Sequence, residues 1–218
     1  MQNQSTEDYV KSIYHLRNRT GAAVSTSDLA RHLHIGDGSV TDMVKRLSAK
    51  KLLHYTPYQG VTLTEEGTKL AIKTIRRHRL WEMFLVQYLD YTWDEVHDEA
   101  ERLEHVTSGE LEARLDKALG SPSTDPHGNP IPSPDGEVAV LRSTSLAECE
   151  EGKRYRITRV SGANPELLQY LNKLGITLNK KIKLLRTIKF DGSALVEWNK
   201  TEVLFSAAMA RSIFVEEA

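Results

Sequence analysis

Sulfur and long apolar runs are what this 218-residue chain has least of. Cys149 is the only cysteine, so neither an intramolecular disulfide nor a four-cysteine zinc site can form, and a reducing, cytoplasmic setting is expected. No stretch approaches the ~18 consecutive apolar residues of a membrane span. The opening Met1-Gln2-Asn3-Gln4-Ser5 lacks the basic and apolar run of a secretory signal, so none is expected. Net charge is only −1, which argues against a uniformly basic nucleic-acid binder. Apolar residues at 39% and charged residues at 27% exclude whole-chain disorder.

The charge is unevenly spread. Residues 1–70 carry +2, residues 71–140 carry −7 and residues 141–218 carry +4. An acidic middle between mildly basic ends suggests a carboxylate-rich function at the centre, and excess carboxylates attract cations. Proline is equally uneven: Pro122, Pro126, Pro130, Pro132 and Pro134, five of seven, mark residues 121–136 as an extended connection. Three domains are expected, over 1–64, over 65–136 with the proline-rich linker, and over 137–218.

Helical periodicity marks residues 5–19, with Tyr9, Ile13 and Leu16 inward. A short helix opens at Ser25-Thr26-Ser27-Asp28, Ile35-Gly36-Asp37-Gly38 forms a turn, and a third helix is expected from Ser39 to Lys50. Leu52–Tyr55 and Gly60–Leu63 then read as a hairpin. Helix, turn, helix and wing in that order make a winged helix-turn-helix, whose second helix enters the DNA major groove. Ser39, Thr41, Asp42, Lys45 and Arg46 lie opposite its apolar stripe and are candidate DNA contacts; Thr26 and Ser27 sit where helix N-terminal amides can hold a phosphate. Asp42 repels phosphate unless it accepts from a cytosine amine.

Helices are expected over 64–88, 92–106 and 108–120. His78 and Glu82 share a face of the first, and His97, Glu101, Glu104 and His105 form one stripe of the second. Such a stripe beside apolar residues is costly unless paired or metal-bound. Asp8 is a further candidate, and Asp125 and His127 add a carboxylate and an imidazole in the proline-rich segment. Oxygen with some imidazole and no sulfur suits Mn²⁺ or Fe²⁺, although Zn²⁺, Ni²⁺ and Cu²⁺ also bind such sets. Beyond residue 140, Arg154–Val160, Lys181–Leu185, Ala194–Trp198 and Ser212–Val215 read as strands around one helix, Pro165 to Leu174, which suggests a small barrel.

Thr6-Glu7-Asp8-Tyr9, Ser39-Val40-Thr41, Leu63-Thr64-Glu65-Glu66-Gly67, Arg77-His78-Arg79-Leu80, Val96–Glu101 with Glu104-His105, and Gly128–Pro132 together resemble the diphtheria-toxin-repressor family of metal-dependent regulators. The resemblance covers essentially the whole chain. It implies a mainly α fold with a small β domain: a winged helix-turn-helix, a helical dimerisation domain and a C-terminal SH3-like barrel. It also implies a homodimeric repressor of metal-uptake genes, not an enzyme, acting on a palindromic double-stranded operator. Two metal ions per subunit are implied, one on Asp8, Glu101, Glu104 and His105, the other on His78, Glu82 and His97, with Asp125 and His127 placed to join. Iron sensors of the family carry methionine at the position of Asp8 and cysteine at that of Glu101, so the resemblance favours Mn²⁺, with an Fe²⁺ repressor as the alternative. Two departures stand out: Lys11 replaces a glutamate found in some manganese sensors, and Ser161-Gly162-Ala163-Asn164 offers no carboxylate, leaving Glu166 as the nearest substitute. Readings from other classes are a di-metal carboxylate enzyme, which would need a Glu-x-x-His on each of two helices that is not found in 65–120, and a metal-chelating module.

Overall fold

The computed structural model describes residues 4–162 and 164–218; Met1 to Asn3, where the leader was sought, and Ala163 lie outside the described residues. Helices α1 (Gln4–Thr20), α2 (Thr26–Leu33) and α3 (Asp37–Ala49) come first, followed by strands β1 (Leu53–Thr56) and β2 (Gly60–Leu63). Then come α4 (Glu65–Leu89), α5 (Val96–Glu104) and α6 (Gly109–Ala118). After the proline-rich segment follow β3 (Thr144–Ser145), a single 3-10 turn, β4 (Arg154–Val160), α7 (Pro165–Lys173), β5 (Lys181–Thr187), β6 (Ala194–Trp198), β7 (Thr201–Phe205), α8 (Ala207–Ser212) and β8 (Ile213–Glu217). Among the described residues no helix is long and apolar enough to cross a membrane.

These elements form two compact units. The first comprises the chain up to His78 with Leu103–Ser108 and Pro132–Glu137. The second comprises Arg79–Arg102, Gly109–Ile131 and Val138–Ala218.

In the first unit, Tyr9, Val10, Ile13 and Leu16 of α1 pack with Leu29 and Ala30 of α2 and with Val40, Met43, Val44 and Leu47 of α3. Spacings of three and four place each set on one helix face. The Ser25 hydroxyl caps α2 by accepting from the Asp28 amide at 3.0 Å. α3 begins at Asp37, two residues ahead of the expected Ser39, because Gly36 itself takes the extended N-cap conformation and Asp37 supplies a first-turn carboxylate. β1 and β2 pair antiparallel from Leu53↔Leu63 to Thr56↔Gly60, and Val24 bridges to Val61 at the sheet edge. Gly67, in the first turn of α4, lies so close to Leu52 that a Cβ would stand 1.9 Å from the Leu52 carbonyl oxygen.

In the second unit, Leu80 of α4, Leu115 and Leu119 of the α6 region and Ile131 form a small core, with Trp81, Met83 and Phe84 against it. The Arg79 guanidinium donates to the Pro130 carbonyl, which pins the proline-rich segment. The C-terminal portion is a six-stranded antiparallel sheet in the order β3-β8-β4-β5-β6-β7. Its core holds Ile157, Ile182, Leu184, Val196, Phe205 and Val215 with Leu168 and Leu171 of α7. β3, β7 and α8 are additions to the elements expected from sequence. α5 spans Val96–Glu104, so it starts later than the expected Thr92 and ends before His105. The Thr92 hydroxyl and the Glu95 carboxylate instead close a separate turn at 2.9 Å.

Candidate metal centre

The first cluster lies where α1 meets the end of α5. Helix α5 stops at Glu104, so His105 leaves it in a turn, and its ring turns back between two carboxylates of α1. His105 Nδ1 is 2.6 Å from Glu7 Oε2, and Nε2 is 2.9 Å from Asp8 Oδ1 and 3.4 Å from Glu104 Oε1. Asp8, Glu104 and His105 each offer a ligand atom within 4.8 Å of the others. Glu101 sits three and four residues ahead of Glu104 and His105, the helix spacing of a shared face.

The donor set fits a divalent ion on two observations. Asp8 Oδ1 and His105 Nε2 are buried atoms facing each other, and neither makes a hydrogen bond of acceptable geometry. Buried polar atoms are rarely left so, and a cation between them would satisfy both. Second, Glu7 engages Nδ1, which directs the opposite nitrogen, Nε2, at Asp8 and Glu104. Carboxylate support of the remote imidazole nitrogen is the usual arrangement for a ligating histidine. Burial opposes the imidazolium of His105, but the carboxylates of Asp8, Glu7 and Glu104 outweigh it and push its pKa up to about 9. Without a metal ion, His105 is therefore protonated at neutral pH.

Glu104 is fully buried and doubly engaged. His78 Nδ1 lies 2.5 Å from Oε2, and Lys11 Nζ lies 2.6 Å from Oε1.

The second cluster lies in the other unit. Glu82, Asp125 and His127 are all buried and offer ligand atoms within 4.8 Å of one another. Asp125 closes its own loop: Oδ1 accepts from the amides of His127 and Asn129 at 2.8 and 2.9 Å, and Oδ2 accepts from the Asn129 side chain. His127 Nε2 donates to the Trp93 carbonyl at 2.6 Å, and its ring stacks on the Trp93 indole at 6.2 Å between centroids. Nδ1 then faces Glu82 Oε2 at 3.6 Å. Burial, then the charge of Glu82, raises the Asp125 pKa. Burial lowers that of His127, but Glu82 outweighs it and the net shift is upward. A Cβ at Gly162 would stand 3.1 Å from the His127 ring, so the loop lies directly on the imidazole. His97 is nearly half exposed and reaches Glu82 Oε1 only at 3.8 Å. His97 and Glu101 also offer ligand atoms within 4.8 Å of each other on α5. Glu166 is exposed in the first turn of α7, and Ala163 lies outside the described residues.

Sequence reasoning therefore named Asp8, Glu104 and His105 together, and the structure brings them together. It grouped His78 with Glu82 and His97; the His78 ring addresses Glu104, and His97 comes within 3.8 Å of Glu82. It passed over Glu7, whose only signal was adjacency to Asp8, and over the Trp93 carbonyl, which no side-chain pattern reveals.

On the expected DNA face, Ser39, Asp42, Lys45 and Arg46 are exposed along α3, opposite buried Val40, Met43, Val44 and Leu47. Ser27 is exposed and Thr26 half-buried at the start of α2. Thr41 donates its hydroxyl to the Asp37 carbonyl at 3.0 Å, and Arg46 folds back to Met43 Sδ.

Comparison with known proteins accounts for most of the chain. Residues 1–61 match the iron dependent repressor N-terminal DNA binding domain. Residues 64–133 match the iron dependent repressor metal binding and dimerisation domain, and residues 144–217 match the FeoA domain. The iron-dependent repressor IdeR of Mycobacterium tuberculosis (strain ATCC 25618 / H37Rv) is 41% identical over 229 residues, covering 98% of this chain and 97% of the relative. The diphtheria toxin repressor of Corynebacterium glutamicum is 29% identical, covering 98% and 96%. A manganese-dependent transcriptional repressor in complex with manganese superposes with a TM-score of 0.90 at 36% identity, covering 98% of this chain and 100% of that one. The manganese regulator SloR superposes at 0.83 with 35% identity, covering 98% of each chain. Iron and manganese thus both occur among these four relatives, each of which is named as a repressor or regulator. This chain belongs to the diphtheria toxin repressor family of metal-dependent transcriptional repressors, and it carries that family's DNA-binding, dimerisation and FeoA domains.

Proposed function

We propose that the activating ion is Mn²⁺, held in one site by Asp8, Glu101, Glu104 and His105, and that its binding makes the chain a repressor of metal-uptake genes. The observation that carries this reading is the convergence of two buried atoms, Asp8 Oδ1 and His105 Nε2, which face each other at 2.9 Å without an aligned hydrogen bond, beside the buried Glu104 carboxylate. Carboxylate oxygen with one imidazole and no sulfur is the donor set of a hard-to-borderline ion. The 41% identity to an iron-dependent repressor does not weigh against it, because metal preference rests on the few donor atoms and not on overall identity. A second ion would take Glu82, Asp125 and His127, with His78 and His97 as the remaining candidates. The domains divide at about residues 64 and 136 in this reading.

The ion would tie α1, which packs on the recognition helix α3, to the end of α5, fixing the attitude of α3 in each half of a homodimer. Two such helices suit a palindromic operator, with Ser39, Thr41, Asp42, Lys45 and Arg46, and Thr26 and Ser27, as contacts. A ~100-fold preference of the ion for the DNA-competent geometry is worth roughly 2.7 kcal/mol of operator affinity.

The test is operator binding, on a two-fold symmetric site selected from random DNA, titrated anaerobically with Mn²⁺ and with Fe²⁺. The wild type should respond to Mn²⁺ at lower concentration. The Asp8→Met, Glu101→Cys double variant should reverse the order. A wild type that prefers Fe²⁺ makes the chain an iron sensor instead.

A further inference from the structure

The Lys11 contact with Glu104 has a geometry that bears on how tightly an ion is held. Glu104 Oε1, the oxygen 2.6 Å from Lys11 Nζ, is the same oxygen that faces His105 Nε2 at 3.4 Å. Lys11 follows Asp8 by three residues on α1, so the helix delivers its ammonium to the side where Asp8 presents its carboxylate. The Lys11 side chain is only 12% exposed and that of Glu104 is 0% exposed. Neither charge is stabilised by bulk water, and each depends on the other and on its neighbours.

We propose that Lys11 is a resident cation of the Asp8–Glu104–His105 cluster. It holds Glu104 in the metal-free chain, and its fixed charge weakens the cluster's grip on a divalent ion, so that it sets the concentration at which the cluster fills. The inference rests on the reading that these residues bind the ion. Charge arithmetic gives its direction. Glu7, Asp8 and Glu104 bring three negative charges and Lys11 brings one positive, so a single divalent ion beside a neutral His105 takes the set to neutrality. Without Lys11 the same ion meets one more unit of net negative charge and no like-charged neighbour on its ligand oxygen. A lysine that merely props Glu104 in place makes the opposite forecast, because its loss would misplace a ligand and loosen the ion.

The experiment is Mn²⁺ affinity of the full chain, measured by competition with a chromophoric chelator. The variants are Lys11→Gln, which keeps a hydrogen-bond donor, Lys11→Met, which keeps the stem, Lys11→Arg, which keeps the charge, and Glu104→Gln. Both neutral variants are expected to bind Mn²⁺ roughly tenfold tighter than wild type, with Lys11→Arg close to wild type. Their metal-free forms should melt lower, so the gap between metal-free and saturated melting temperatures widens. Unchanged or weaker Mn²⁺ binding by Lys11→Gln and Lys11→Met overturns the proposal. Glu104→Gln that binds Mn²⁺ like the wild type overturns the site itself, a separate failure visible in a separate variant.

Discussion

His105 is the residue on which the proposed chemistry turns, because a proton and the proposed ion would compete for its Nε2. The carboxylates around it hold its pKa at about 9, so an ion entering at pH 7 must displace a proton. Mn²⁺ affinity should rise about tenfold per pH unit from pH 7 until the approach to pH 9, then flatten, as read by competition titration in non-coordinating buffer. Stability of the metal-free chain has the opposite slope. The folded pKa lies above the unfolded value of ~6.5. The contribution of His105 is therefore complete below that pH and is lost as the pH rises through about 9. Metal-free melting temperature should fall across this window, and Glu7→Gln, which removes the charge facing Nδ1, should flatten the fall. A flat profile in the wild type would contradict the ion pairing of His105 with Glu7 and Asp8. Glu7 was invisible to periodicity because it neighbours Asp8, whose side chain leaves the helix at a different angle. Only the return of the chain at residue 105 gives Glu7 a partner, and that is a tertiary event.

At the scale of elements, turns decide what can be read from sequence. β7 was missed because the β6–β7 turn is Asn199-Lys200, both in left-handed conformation at φ 49° and 64°, with no glycine to announce it. α1, α2, β4 and α7 were legible because their apolar spacing is regular and, for α2 and α7, because Ser25 and Asn164 cap them. The candidate ligands Glu101 and Glu104 were legible for the same reason, because they repeat at helix spacing. His105 lies past the end of α5, where periodicity no longer applies, yet its side chain still reaches the same cluster. One junction has a sharp steric demand. At Gly67 a methyl group would meet the Leu52 carbonyl, which accepts the Thr64 amide at 3.1 Å. Gly67→Ala must shift the strand-to-helix junction and should cost about 1–3 kcal/mol in chemical denaturation. Ser25→Ala, which removes only a cap from α2, should cost about 1 kcal/mol. No loss of stability in Gly67→Ala would show that α4 can move away from Leu52 freely.

For the whole molecule, the family assignment fixes that a metal-binding event is converted into DNA binding. Asp8, a proposed ligand, and Lys45, a proposed DNA contact, belong to the same compact unit. Lys45→Ala should weaken operator binding and reduce its salt slope by about one, while Mn²⁺ affinity measured without DNA stays at the wild-type value. Loss of Mn²⁺ affinity in that variant would mean the recognition helix and the metal cluster are not separable. The stacking of the Trp93 indole on the His127 ring has an optical consequence. A paramagnetic ion arriving at the Glu82–Asp125–His127 cluster comes within a few ångströms of a natural fluorophore, whereas the Asp8 cluster has tyrosine, Tyr9, as its aromatic neighbour in sequence. Indole emission should therefore dim when the second cluster fills, and Trp93→Phe should lose most of that dimming. The part of the light that Trp93→Phe removes would then report when the second cluster loads.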